Sequence, residues 1–186
     1  MARHLSSVES LEENKQLTCN IPSYPLALTG HSSTTTTSGI LVCGGQTSSG
    51  EYRKDCYEYR VTSNSWRNMP PMTTERSLFG MIYLKQKVYA VGGNGGSGSK
   101  NSMEIYDPNN RTWTKQSIPF SVYHQCITTL SANQFIVIGG YHNGVSKNVM
   151  TKKCFYPIIH FLHFTAQNIF TNFIFKFQES SYNLDL

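Results

Sequence analysis

Three times along the chain a short apolar run stops on a pair of glycines: ILVCGG (40–45), VYAVGG (88–93) and FIVIGG (135–140). Each run is too short for a helix and rich in branched and aromatic side chains, so each predicts a strand that is apolar on both faces. The second glycines, Gly45, Gly93 and Gly140, are 48 and 47 residues apart. Downstream of the first pair comes CYEYRVTSNSW with Tyr59 and Trp66, and downstream of the second comes MEIYDPNNRTW with Tyr106 and Trp113. Both Tyr-to-Trp gaps are seven residues, and these are the two tryptophans of the chain. A pattern that returns in order and in register marks an internal repeat.

Around these markers the polar and apolar positions divide each unit into four short strands. In the second unit they are expected at 78–84, 87–92, 102–107 and 112–115, in the first at 31–37, 39–44, 56–61 and 65–68. Lys85-Gln86, the glycine-rich GGNGGSGSKN and DPNN supply turns, Pro108 presetting φ and the asparagines accepting tight geometry. The third unit offers strands at 124–130 and 134–139 and then falters. Four antiparallel strands in about 47 residues make one blade of a β-propeller. Gly-Gly at the end of the second strand frees the chain to turn with positive φ and leaves a slot without Cβ atoms. The rings of Tyr59 with Trp66 and Tyr106 with Trp113 are expected to fill such slots and cement blade to blade.

Gly44-Gly45, Tyr59 and Trp66, then Gly92-Gly93, Tyr106 and Trp113, resemble the repeat motif of the kelch family, and MPPMTTERS after Trp66 resembles its blade-to-blade linker. The third unit matches at Gly139-Gly140. The resemblance covers about residues 30 to 150. It implies an all-β fold, a kelch-type β-propeller that is partial, of about 2.5–3 four-stranded blades. Expected boundaries are a polar lead-in at 1–29, repeats at 30–154 (blades 30–76, 77–123 and an incomplete 124–154), and an atypical aromatic-rich tail at 155–186. The register carried forward puts the third tyrosine at Lys153 and the third tryptophan at His160.

The tail reads FYPIIHFLHFTAQNIFTNFIFKFQ from Phe155 and holds seven of the ten phenylalanines. It is broken by Pro157, two histidines, Gln167, Asn168 and Asn172, which argues against a membrane span. A divergent closing element, or sequence from an alternative splice or read-through not selected for this fold, are the other readings. Propellers close with four to eight blades. Two and a half leave apolar faces and unpaired edges open, so a truncated or fragmentary chain, or self-association through open blade edges, is expected.

Net charge is +5, but the basic residues are scattered, adjacent only at Arg53-Lys54 and Lys152-Lys153, which speaks against nucleic acid. The five cysteines form no C-x-x-C, so a zinc site has no support. Cys43 and Cys56 fall on consecutive antiparallel strands, where they can bridge if directly opposed. The first sixteen residues contain no apolar run, so no signal peptide is read there and a cytoplasmic chain is expected. The sequon Asn110-Arg111-Thr112 would matter in a secreted protein.

A copper-radical oxidase of the galactose-oxidase type is also built on kelch-like blades, and His31, His124 and His142 are the ligand candidates such a reading needs. No spacing ties them together. Asp107 and Glu104 look like turn and strand-surface residues rather than a carboxylate pair. No catalytic residue, metal ligand or cofactor is therefore expected. The chain is read as a protein-interaction module or scaffold, with a secreted kelch enzyme fragment, or a substrate-recruiting ubiquitin-ligase propeller lacking its BTB domain, as alternatives implied by the resemblance. Candidate contact surfaces are the loops 46–55, 94–101 and 141–147 and the linkers 69–77 and 117–124. Arg76, Tyr123, Tyr141 and His142 are the candidate partner contacts, Arg76 having the alternative of satisfying a carbonyl inside the fold.

Overall fold

The computed structural model describes residues 21–142, 145–146 and 150–153, and the repeats appear in it as successive antiparallel sheets. The first sheet holds β1 (Ser32–Thr35), β2 (Ile40–Cys43), β3 (Cys56–Arg60) and β4 (Ser65–Met69) in chain order. Next come β5 (Gly80–Leu84) and β6 (Lys87–Val91), then a two-residue hairpin of β7 (Asn94–Gly95) with β8 (Gly98–Ser99), then β9 (Ser102–Asp107) and β10 (Thr112–Ser117). The long strands among them repeat the first order as β5-β6-β9-β10. The third sheet contains β11 (Cys126–Ser131), β12 (Gln134–Ile138) and β15 (Met150–Lys153), with a short ladder of β13 (Tyr141–His142) and β14 (Val145–Ser146) in its loop. This is an all-β partial propeller, the architecture the repeat pattern implied.

Register explains the repeated letters. Trp66 stands opposite Tyr59 and Trp113 opposite Tyr106, their rings 5.4 and 5.2 Å apart. The indole N–H of Trp66 donates to the Pro22 carbonyl at 2.8 Å, and that of Trp113 to the Pro70 carbonyl at 2.9 Å. Each tryptophan therefore pins its own blade to the linker that leads into it. Leu41, Cys43 and Cys56 of the first blade pack with Met81, Val88, Ala90, Tyr106 and Trp113 of the second. Tyr89, Val91 and Met103 of the second pack in turn with Phe135 and Val137 of the third. Burial of each such side chain favours the stack by about 1.5–3 kcal/mol.

The glycine slots are filled differently from the sequence expectation. Gly44 and Gly92 have φ of +65° and +63°, and a Cβ on them would lie 2.4 Å from the Arg76 carbonyl oxygen and 2.3 Å from that of Val122. The next blade's linker, not the tyrosine and tryptophan rings, enters the slot. The following amides exploit that approach: Gly45 N–H donates to Arg76 O and Gly93 N–H to Val122 O, both at 2.7 Å. A second set of bonds links the inner strands' leading residues, Leu78 N–H to Gly30 O at 2.7 Å and His124 N–H to Leu78 O at 2.8 Å.

One further expectation is corrected. The third unit does not falter after its second strand: β15 pairs with β12 and places Lys153 opposite Phe135, the register that Tyr106 holds opposite Val88. Backbone pairing carries that strand without the tyrosine. The loop GGNGGSGSK is structured by β7 and β8, with Gly95 and Lys100 buried. Cys43 and Cys56 face each other across β2 and β3, Cα atoms 4.2 Å apart, and are joined in a disulfide. The lead-in up to residue 20, with Cys19, and the tail, with Cys154, lie outside the described residues. Among the described residues no helix is long and apolar enough to cross a membrane.

Candidate interaction surface

Antiparallel order sorts the connections to two ends of the stack. The tight β1–β2, β3–β4, β5–β6 and β9–β10 turns lie at one end. The β2–β3, β6–β9 and β12–β15 connections and the linkers into the next blade lie at the other. The longer loops are thus gathered on one side of a rigid body, where recognition usually sits.

The first of these loops is held in shape by its own polar groups. Gln46 bridges to Thr29 and to Tyr52, its side-chain amide donating to Gly50 O at 2.8 Å. Thr47 N–H donates to Glu51 O at 2.9 Å. Arg53 then reaches Glu51 at 2.7 Å and Asp55 at 2.8 Å. Hydrogen bonding to Asp55, with its charge, raises the Arg53 pKa above the ordinary value. Beside this cluster an open cleft of about 580 Å³ is lined by Tyr52, Arg53, Lys54, Asp55, Glu75 and Gly96. Glu75 of that lining accepts from Lys100 at 3.1 Å, and Lys100 also donates to Ser97 at 3.1 Å. Hydrogen bonding to its own backbone amide, then to Lys100, holds the Glu75 carboxyl below the usual range against the opposing effect of partial burial.

The four sequence-selected contact residues separate. Tyr123 and Tyr141 come together, bridged through their backbones and stacked with ring centroids 5.7 Å apart. His124 joins them at 5.6 and 5.9 Å. Tyr141 is exposed and Tyr123 half-buried. The side chain of His142 lies outside the described residues. Arg76 is corrected as a contact candidate: it is 0% exposed and donates to Gly92 O at 2.7 Å, Ser102 O at 2.9 Å, Ser102 Oγ at 3.0 Å and Glu104 Oε1 at 3.1 Å. Burial lowers its pKa and Glu104 pulls it back. It satisfies carbonyls, as the alternative reading had it.

Glu104 is corrected with it. It is fully buried rather than on the strand surface, accepting Thr73 N–H at 2.6 Å and Thr74 N–H at 3.0 Å besides Arg76. Asp107 does sit at a turn, paired to Lys87 at 3.0 Å and accepting Asn109 N–H at 3.0 Å.

Sequence reasoning also passed over Glu58, which is buried at the opposite end. It is paired with Arg67 at 2.8 Å and Arg60 at 3.2 Å and accepts the Ser38 hydroxyl. With Arg67, Tyr106 and Arg111 it lines a second cleft of about 240 Å³ between the first two blades. Its one signal in the sequence was an acid inside the aromatic strand CYEYR. Burial pushes its pKa up, but the bonds from Ser38 and Arg60 and the charge of Arg67 outweigh that and leave it lowered.

Among the described residues no group of three or more His, Cys, Asp or Glu is placed to hold a metal ion. His31 stacks on Tyr24, and His124 lies by Tyr123 in another blade. The geometry offers polar recognition in the first cleft and aromatic contact at the Tyr123–Tyr141 stack.

Comparison with known proteins agrees with the fold. The chain is 41% identical to Kelch-like protein 8 of Mus musculus over 73 residues, which is 39% of this chain and 12% of that one. It is 26% identical to Kelch-like protein 36 of Rattus norvegicus over 148 residues, 74% of this chain and 24% of the relative. It is 32% identical to the F-box/kelch-repeat protein At1g67480 of Arabidopsis thaliana over 90 residues, 48% and 24% of the two. The chain thus spans a quarter or less of the length of these relatives. The solved structure of YjhT superposes with a TM-score of 0.66 at 13% identity, covering 74% of this chain and 46% of that one, a likeness of fold alone. The model of the KLHDC2/KLHL20/DRC7 Kelch-repeats domain matches residues 5–166, and with three glycine-paired sheets in register the chain belongs to the kelch-repeat family.

Proposed function

We propose that this chain is a protein-interaction module without chemistry of its own, taking a segment of another protein across the long-loop end of its blades. The observation that carries the reading is the cleft beside Glu51, Arg53 and Asp55, where charges of both signs line a concave surface next to Tyr52. Ions already engaged with one another on a fixed loop give orientation and selectivity more than raw affinity. A partner segment with alternating acidic and basic side chains matches that lining, and the Tyr123–Tyr141 stack adds an aromatic anchor of the kind enriched at interfaces. One relative's name places kelch repeats beside an F-box.

The test is selection of displayed peptides on the immobilised full chain, followed by titration of the selected peptides against variants. Tyr52→Ala with Arg53→Ala is expected to weaken binding at least about tenfold, a loss of about 1.4 kcal/mol or more at a contact centre. Unchanged binding, with loss on Arg111→Ala at the opposite end, would refute the site.

A further inference from the structure

Five residues after the motif tyrosine the first two blades part company. In the first, Asn64 takes a left-handed φ of +45° and its side-chain carbonyl accepts the Tyr59 hydroxyl at 2.8 Å. In the second, the same turn position, with φ of +55°, holds Arg111. Asparagine suits that conformation and arginine does not, so the turn does not account for the choice. A guanidinium is donor-only and cannot take the Tyr106 hydroxyl as Asn64 takes that of Tyr59. Among the described residues, neither the Arg111 guanidinium nor the Tyr106 hydroxyl has a hydrogen-bond or ion-pair partner. Both residues line the cleft of about 240 Å³ between the first two blades, to which the first blade adds Arg67 and Thr37. Arg67 donates from Nη2 to Glu58 at 2.8 Å and to Met69 Sδ at 3.3 Å, and its buried Nε has no partner among the described residues.

The charges around this cleft do not cancel. Glu58 is met by both Arg67 and Arg60, and Asp107 by Lys87. With Arg111, three guanidiniums stand against the one carboxylate of Glu58, an excess of two positive charges. Burial raises the Tyr106 pKa, while Arg111 and Arg67 pull it back and Glu58 and Asp107 act the other way. The two arginines thus already act on an oxygen inside the cleft.

We propose that this cleft is a binding site for a phosphate monoester, at the opposite end from the loop cleft and independent of the function proposed there. Arg111 and Arg67 take the phosphoryl oxygens, a pairing that the planar guanidinium suits. The Tyr106 and Thr37 hydroxyls donate to what remains. A carboxylate, with one charge and two oxygens, would leave one positive charge unmatched. A phosphate monoester carries about −1.5 to −2 and three acceptor oxygens, which matches the excess. The lining comes from two neighbouring blades, so the packing of one repeat on the next builds the site.

Isothermal titration calorimetry of the full chain tests this, with inorganic phosphate and with a glycine-rich peptide carrying one phosphoserine. One equivalent should bind with a Kd below about 1 mM at physiological salt, and the two probes should compete. Tighter binding of the peptide assigns the site to a phosphorylated side chain and tighter binding of phosphate to a small free phosphate; either supports it. The unphosphorylated peptide and its aspartate counterpart should bind at least about tenfold more weakly. Arg111→Asn, which gives the second blade the residue of the first, should weaken binding at least about tenfold. Its thermal midpoint should stay the same or rise, since no bond is lost and asparagine accepts the turn. Tyr106→Phe keeps the ring and should lose about three- to tenfold. Lys115→Ala removes a positive charge from exposed β10 of the same blade and should leave binding as it is. A wild type that binds neither probe would overturn the proposal, as would equal affinity for the aspartate peptide or full affinity in Arg111→Asn. An equal loss in Lys115→Ala would overturn it too, as the mark of attraction by net charge alone.

Discussion

Glu104→Gln removes one negative charge and almost no volume from a fully buried pair. In the native fold Glu104 accepts two backbone amides, Thr73 at 2.6 Å and Thr74 at 3.0 Å, and two nitrogens of Arg76 at 3.1 and 3.3 Å. Both partners of the ion pair are 0% exposed. The substitution leaves the guanidinium buried without its counter-charge and turns an amide NH₂ toward a group that is itself a donor. Breaking a buried pair from one side costs about 3–5 kcal/mol. At about 2–4 °C per kcal/mol for a chain of this size the midpoint should fall by roughly 6–20 °C. A control separates the pair from its surroundings. Replacing buried pairs by apolar residues is often neutral, but Arg76→Met with Glu104→Leu still strands the Thr73 and Thr74 amides, each at about 1–3 kcal/mol. The double variant should therefore also be destabilised. Urea unfolding followed by Trp113 emission, at fixed protein concentration, measures both. A Glu104→Gln loss under about 1 kcal/mol, or a double variant as stable as the parent, would refute the argument.

Three other perturbations read other parts of the design. Gly92→Ala meets a φ of +63° and a carbonyl at 2.3 Å, and should cost at least about 2–3 kcal/mol in a urea midpoint, whereas Gly96→Ala, in open space, should stay within about 0.5 kcal/mol. The folded pKa of Glu58 is lowered. Its contribution is therefore complete above the unfolded value of about 4.3 and is lost as pH falls through the folded value. Glu58→Gln should flatten the acid limb of a stability–pH profile, and an unchanged slope would count against the pairing. The Cys43–Cys56 disulfide closes a short loop, with a sequence separation of 13. Reduction should lower stability by about 3 kcal/mol, and non-reducing peptide mapping should recover the two cysteines linked.

The fold was legible where identity of residue carries the signal. Gly-Gly, tyrosine and tryptophan recur because positive φ, the linker's approach and the indole bond each tolerate few substitutes, and the strands fell within a few residues of their expected bounds. β15 was not legible, since its pairing with β12 is a backbone matter and Lys153 occupies the tyrosine's place. The role of Arg76 was half legible: a linker arginine has obvious uses outside the fold, and its partner Glu104 lies 28 residues away on another strand. Nothing in SMEIYD marks that acid as buried, because strand alternation does not say which neighbour will cover a face. The cysteine bridge stayed open for a similar reason, as it needs the register that puts Cys43 opposite Cys56.

The bonds from Trp66 to Pro22 and from Trp113 to Pro70 bear on how such chains can be cut and recombined. A blade excised at its first strand would leave behind the carbonyl that its tryptophan requires. One excised ahead of the proline would carry its own clasp and need from its neighbours only a linker for its glycine slot. The unit that can be duplicated, swapped or grafted thus begins in the stretch that looks like connecting chain, and an added blade brings its attachment point with it.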